Sequence, residues 1–238
     1  MIEIKNLWKS YGKETVVHDI SLNIKKGSVF GFLGQNGAGK TTVMKMIVGL
    51  SKPNQGSITV GGRDYTDVGV RETIGYMPEA PYFYERLTGL EFLEFCGDLF
   101  KNRPPQRREL YEEILKETGI YDTRHKIIAK YSKGMKQRLG FAQALVNDPE
   151  YIFLDEPMDG LDPVGRREVK TIIKNLYRRG KTIFFNSHIL FDIEEICNEI
   201  GVIHKGRLLY SGPVTKFCNG QPLEERFVEL VKKEGAKA

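Results

Sequence analysis

The chain has 238 residues, 36 Lys+Arg against 31 Asp+Glu, a net charge of +5 and 40% hydrophobic residues. These proportions suit a globular protein with a sizeable core; they exclude extended disorder and fibrous repeats, and no apolar run approaches the roughly 18 residues of a membrane span. A surplus of five charges over this length is too small to argue for nucleic acid as a partner. Cys96, Cys197 and Cys218 form neither metal-ligand spacing nor an even disulfide framework. The first residues carry charges where a signal peptide needs an apolar stretch, so the expected setting is reducing and cytoplasmic.

In chain order, the first thirty residues read as strands. Ile20, Leu22 and Ile24 alternate with Ser21 and Asn23, the period of a sheet with one buried face. Residues 29–33 are a short apolar run suited to a strand buried on both sides. A glycine-rich turn leads into a helix over 40–50, with Val43, Met46, Ile47 and Leu50 on one face. Strands follow at 57–60 and 74–77, the second stopped by Pro78.

From about residue 84 to 147 the pattern turns helical. Thr88 and Glu91 have capping-box spacing, and Leu90, Leu93, Cys96 and Phe100 follow at helical intervals until the run breaks before Pro104 and Pro105. Leu110, Ile114 and Leu115 mark a second helix ending at Gly119, and a third runs from about Ser132 through Leu139 and Ala142 to Val146. The β/α alternation then resumes, with strands at 151–154, 182–186, 200–204 and 208–211, helices starting near Pro163 and Ile189, and a C-terminal helix over 223–233. The layout is α/β with a helical insertion of about 65 residues.

The chemistry begins at Gly34-Gln35-Asn36-Gly37-Ala38-Gly39-Lys40-Thr41, which fits G-x-x-x-x-G-K-[ST] between a buried strand and a helix. Glycines let successive N–H groups point into one concavity, and the helix N-terminus adds partial positive charge there. Lys40 is placed for the β- and γ-phosphates and the Thr41 hydroxyl for Mg²⁺. At this composition a chance match is expected about 0.02 times in a chain of this length, so the loop is a specific signal. The spacing does not fit G-x-G-x-x-G, which disfavours a dinucleotide site.

Residues 151–156, Tyr-Ile-Phe-Leu-Asp-Glu, form an apolar strand ending in two acids. Ligands of parallel α/β sheets sit at the carboxyl ends of strands, so Asp155 and Glu156 are expected to face the phosphates. Adjacent strand residues point to opposite sides, which divides the work: Asp155 for the Mg²⁺ shell, Glu156 for the attacking water. Together with the phosphate loop, the pair points to hydrolysis rather than binding alone.

With these residues in place the chain resembles the ATP-binding subunits of ABC transporters over nearly its whole length. Tyr131-Ser132-Lys133-Gly134-Met135-Lys136-Gln137-Arg138 looks like the family signature, commonly Leu-Ser-Gly-Gly-Gln, at the start of a helix inside the insertion. The resemblance implies a P-loop NTPase (RecA-like) core with an N-terminal antiparallel β portion and an inserted helical subdomain. It divides the chain into a nucleotide-binding core (1–83 and 148–212), a helical signature subdomain (84–147) and a C-terminal tail (213–238). It further implies that Tyr11 stacks on adenine and that ATP is held by the loop residues Gly34, Gln35, Asn36, Gly37, Ala38, Gly39, Lys40, Thr41 and Thr42. The resemblance also implies that Ser132 and Gly134 act in trans on the γ-phosphate of ATP held by a second subunit, that Thr41, Glu79 and Asp155 serve Mg²⁺, and that Glu156 and His188 are catalytic. Asp159-Gly160-Leu161-Asp162 matches the loop that crosses the dimer interface.

The sequence departs from the common pattern at several points. Glu79 stands where most members have glutamine, Lys133 and Met135 replace a glycine and a glutamine, and Asp159 replaces a small serine. Glu79 with Ser-Lys-Gly-Met resembles the ABC-2-type branch, whose members often drive exporters. The implied assembly is a head-to-tail homodimer, or a dimer with a close homologue, bound to an integral membrane permease on the cytoplasmic face. Tyr82, Phe83, Tyr84 and Phe92 are candidate permease contacts. The alternative is a soluble ABC-type ATPase acting on ribosomes or nucleic acid. Such proteins usually carry two ATPase domains or long insertions, and this chain has one copy of each motif.

Overall fold

A computed structural model describes residues 1–101 and 107–235. The break expected before Pro104 and Pro105 falls outside the described residues. Two sheets form the scaffold. In the first, β1 (Ile2–Tyr11) pairs antiparallel with β2 (Glu14–Ile24) and with β4 (Gln55–Val60), which in turn pairs with β5 (Arg63–Asp64). The second runs in the order β10-β9-β3-β8-β7-β6, formed by β3 (Val29–Leu33), β6 (Ile74–Met77), β7 (Tyr151–Asp155), β8 (Thr182–Ser187), β9 (Glu199–His204) and β10 (Arg207–Pro213). All its neighbours are parallel except the edge pair β9–β10.

The alternation along these strands builds two cores. On one face Phe30, Phe32, Phe153 and Phe184 meet Val43, Met44, Met46 and Ile47 of α1 (Lys40–Ile47), with Ile2, Ile4, Leu7 and Ile20 closing from the first sheet. The other face presents Val29, Leu33, Ile152, Leu154, Ile183 and Phe185 to the remaining helices. Every residue of β3, β7 and β8 is buried, as expected for parallel strands covered on both sides.

Helix α1 stops at Ile47 rather than at Leu50. Gly49 takes φ +77° and Leu50 is left exposed, so the helical periodicity of the sequence outlasts the helix. A single short turn, α2 (Val68–Arg71), precedes β6 and has no periodic signal of its own.

The expected helices of the insertion are α3 (Gly89–Asp98), α4 (Arg107–Glu117) and α5 (Lys133–Gln143). Thr88 and Glu91 form the reciprocal capping box, and Ser132 caps α5, its Oγ accepting the Met135 N–H at 3.2 Å. Leu90, Leu93, Tyr111, Ile114, Leu115 and Leu139 join the same core as the sheet's second face. Tyr131 fixes the approach to α5 by donating to the Thr123 carbonyl at 2.9 Å.

Helix α6 (Pro163–Arg178) follows β7, α7 (Leu190–Ile196) follows β8, and α8 (Val214–Cys218) and α9 (Leu223–Gly235) end the described chain. α6 and α7 are held together by ion pairs: Arg166 to Asp192 at 2.5 Å, Lys174 to Glu195 at 2.8 Å, and Lys170 to both acids. Among the described residues no helix is long and apolar enough to cross a membrane.

Candidate nucleotide site

The carboxyl ends of β3, β7 and β8 and the loops after them surround one cleft of about 670 Å³. The loop after β3 must pass close to its neighbours, and two glycines allow it. A side chain at Gly34 would place its Cβ 2.5 Å from the Ile203 carbonyl oxygen. Gly39 combines φ +104° with only 2.9 Å to the Val16 carbonyl, so a larger residue there meets both backbone strain and a clash. Gly39 offers no side-chain cap, which leaves the first N–H groups of α1 aimed at the cleft.

Lys40 is buried at 6% exposure. Its ammonium donates to the Gly34 carbonyl at 2.7 Å and the Gln35 carbonyl at 3.4 Å, and lies 3.6 Å from Glu156 Oε1. Thr41 Oγ1 donates to Asp155 Oδ1 at 3.1 Å, and Asn186 Nδ2 donates to the same oxygen at 2.7 Å. Asn186 faces Asp155 across the β7–β8 register and is fully buried.

Asp155 is 1% exposed, yet its second oxygen, Oδ2, has no hydrogen-bond partner among the described residues. A buried, unpartnered carboxylate oxygen beside a threonine hydroxyl offers oxygen acceptors suited to Mg²⁺, directly or through one of the waters that Mg²⁺ retains. Among the described residues no cluster of three acids, histidines or cysteines is present, and Mg²⁺ characteristically completes its shell with waters and phosphate oxygens. The residues present therefore fit a cation that arrives with a phosphate ligand. Glu79 lines the cleft from the loop after β6, exposed at its rim.

Glu156 leaves the strand with φ +50°, a conformation unusual for a residue with a side chain, and its N–H donates to the Asn186 carbonyl at 3.2 Å. That turn brings its carboxylate back over the phosphate loop. Oε2 meets the Nδ1 of His188 at 3.0 Å and accepts the His188 N–H at 3.3 Å. From α5, Gln137 Nε2 donates to the Pro157 carbonyl at 3.1 Å and the Glu156 carbonyl at 3.4 Å, tying the helical insertion to the acidic turn.

The cleft thus gathers Asn36, Gly37, Ala38, Gly39, Lys40, Thr41, Thr42, Glu79, Glu156, Asp159 and His188, with Gly34 and Gln35 bordering an adjoining hollow beside His188. Glu14 and Val16 of β2 also line it; no motif marks them, and only the closeness of the loop to β2 places them there. Besides Asp155, which meets the cleft through its bond with Thr41, three expected residues stand apart from the cleft lining. Tyr11 is half-exposed at the end of β1 with the Lys9 ammonium 4.9 Å from its ring centre. Ser132 and Gly134 open α5 away from the cleft. At Gly134 an added Cβ would find Leu161 Cδ2 at 3.8 Å as its nearest neighbour beyond its own helix among the described residues, an ordinary contact.

Tyr76 stands on β6, one residue before its end. Burial first, then the Asp155 and Glu79 carboxylates, push its phenol well above the usual range, so it remains a donor.

A parallel sheet, a glycine loop opening onto a helix N-terminus and an acid at the end of the neighbouring strand together define a P-loop NTPase. The chain belongs to the ABC transporter family, whose model matches residues 17–159. An uncharacterized ABC transporter ATP-binding protein of Nostoc sp. is 46% identical over 203 residues, which is 84% of this chain and 61% of that protein. The chain thus spans about three fifths of that relative's length. The bacitracin transport ATP-binding protein BcrA of Enterococcus faecalis is 42% identical over 212 residues, covering 88% of this chain and 68% of its own. Among solved structures, an ATP-binding subunit of an ABC transporter superposes with a TM-score of 0.89 at 29% identity, covering 97% of this chain and 99% of that one. The ATP-binding cassette MJ0796, solved as a dimer bound to ADP and Pi, gives 0.82 at 25% identity over 90% of this chain and 99% of that one.

Proposed function

We propose that this chain binds and hydrolyses ATP as one of two ATPase subunits that drive a separate membrane permease. The observation that carries the reading is the position of Glu156, whose carboxylate lies between the phosphate-loop lysine and His188. Lys40 exchanges its loop carbonyls for the β- and γ-phosphates, and the N-terminus of α1 stabilises their charge. Thr41 and Asp155, with Glu79 at the rim, would hold Mg²⁺, and a bound Mg²⁺ would supply positive charge to the phosphate oxygens. Glu156 orients the attacking water and takes its proton. His188 holds Glu156 through Nδ1, leaving its other ring nitrogen for the γ-phosphate.

Ser132 and Gly134 complete the site from a second copy or a close homologue. The open space at Gly134 supports this, because room without an internal use suits a phosphate arriving from another chain. The dimeric MJ0796 cassette is a precedent for such an assembly. Tyr11 would stack on adenine from the rim. In functional terms residues 1–83 and 148–212 hold nucleotide, 84–147 carry the signature, and the residues from 213 onward form the tail.

The permease would dock beside the loop that carries Glu79. Tyr82 is 95% exposed there, and Tyr84 stands edge-on to Phe95 at 5.1 Å, while Phe83 packs on Phe92 at 5.2 Å as part of the core. Of the four expected contacts, Tyr82 and Tyr84 are the accessible ones. The chain then sits on the cytoplasmic face, and export is the direction that the branch resemblance favours. BcrA is named for bacitracin transport, which favours transport over the ribosome or nucleic acid. Recovery of the tagged chain with a polytopic membrane protein, together with ATPase activity, is the expected result; recovery with ribosomes would sink the reading.

A further inference from the structure

Tyr76 raises a question that its neighbours answer. Its register partner across β6–β7 is Phe153, and side chains alternate along a strand, so Tyr76 shares a sheet face with Phe153 and with Asp155 two residues further on. That face is covered by α1, and the Tyr76 ring packs against the core formed there. A phenylalanine would fill this space equally well. Instead a hydroxyl is present, sealed from solvent and without a partner among the described residues. Asp155 Oδ2, on the same face, is also sealed and unpartnered. Buried polar groups are nearly always paired, and a tyrosine hydroxyl can donate whereas a carboxylate oxygen only accepts. A single water can join such a donor and acceptor: it accepts from the first, donates to the second and keeps a lone pair for a cation, with Asn186 Oδ1 as a further unpartnered acceptor nearby.

We propose that Tyr76 is a positioning residue of the nucleotide–metal site: its hydroxyl donates to a water of the cation's shell that in turn donates to Asp155 Oδ2. Held in this way, the Asp155 carboxylate has both oxygens engaged, one by Thr41 and Asn186 and the other from the side of β6. The arrangement links the strand that leads into the Glu79 loop with the strand that ends in Asp155 and Glu156. The inference rests on the Mg²⁺–ATP reading of the cleft.

The test is the Tyr76→Phe variant of the full chain, followed by thermal unfolding alone, with a non-hydrolysable ATP analogue in EDTA, and with that analogue across a Mg²⁺ titration. The variant alone is expected to melt at or above the wild-type temperature, because a hydroxyl without a partner is lost. The analogue's effect in EDTA is expected to be unchanged. The Mg²⁺ concentration giving half of the Mg²⁺-dependent stabilisation is expected to rise about 3- to 10-fold, the worth of one hydrogen bond. An unchanged Mg²⁺ midpoint overturns the inference while the site reading stands. A variant that melts well below wild type on its own also overturns it, since the hydroxyl would then serve the fold. If the wild type itself shows no Mg²⁺-dependent stabilisation, the reading of the cleft falls and the inference with it.

Discussion

Glu156 and His188 are joined at 3.0 Å through Oε2 and Nδ1, while the other oxygen of the same carboxylate lies 3.6 Å from Lys40. In the proposed reading Glu156 competes with a phosphate for the lysine charge while it orients the water. Glu156→Gln removes the proton acceptor and the competing charge together. Turnover is expected to fall by about 10²–10⁴, with ATP affinity equal or higher and dimers accumulating. Single-turnover hydrolysis and fluorescent-nucleotide binding check both parts; unchanged turnover would remove Glu156 from the mechanism.

Gly134 separates a role in the chain from a role between chains. Beyond its own helix, a methyl group there meets only Leu161 Cδ2 among the described residues, at 3.8 Å, an ordinary contact near an exposed helix start. Gly134→Ala is therefore expected to leave thermal stability within about 0.5 kcal/mol and ATP binding to the monomer intact. Hydrolysis is expected to fall at least tenfold, because the methyl occupies the space the in-trans phosphate needs. A variant that binds ATP poorly as a monomer would place Gly134 in its own chain's site instead.

What the sequence revealed and what it hid divide along a physical line. The phosphate loop, the acidic strand end and the Thr88 and Ser132 caps are written in contiguous residues, where local backbone rules decide the outcome. Asn186, Glu14 and Val16 reach the site only through strand register and packing, and the bond from Gln137 of the signature stretch to the acidic turn depends on helix packing, which no local pattern encodes. Tyr76 read as an ordinary strand residue because its hydroxyl matters only once β6 and β7 lie side by side. Leu50 failed in the opposite sense: its spacing was helical, but a left-handed glycine ended the helix first.

Gln137 offers a test of how the helical insertion is tied to the acidic turn. Its amide supplies hydrogen bonds to the Glu156 and Pro157 carbonyls in a buried setting. Gln137→Ala leaves both acceptors without that donor and is expected to cost about 1–2 kcal/mol in stability. Turnover is expected to fall several-fold further than the stability loss accounts for, with ATP affinity little changed. Chemical denaturation and steady-state kinetics on the same preparation separate the two effects.

The clamp between α6 and α7 joins the loop 159–162, which ends at the Asp162 cap, to the helix that follows His188. Within it, hydrogen bonds from Lys170 and then Lys174 hold the Glu195 carboxyl below the usual glutamate range. A folded-state pKa below the unfolded value contributes stability that is full above the unfolded pKa, near 4.3, and disappears as pH falls through the folded one. The Glu195 side chain is 37% exposed, so solvent screening limits this contribution to about 0.5 kcal/mol. Glu195→Gln is expected to melt slightly below wild type at pH 7 and to converge with it as pH falls through the lowered folded-state pKa, with a shallower fall between. Thermal melts at matched ionic strength across that window check the sign. A gap that widened toward acid would mean that the ionised carboxylate destabilises the clamp.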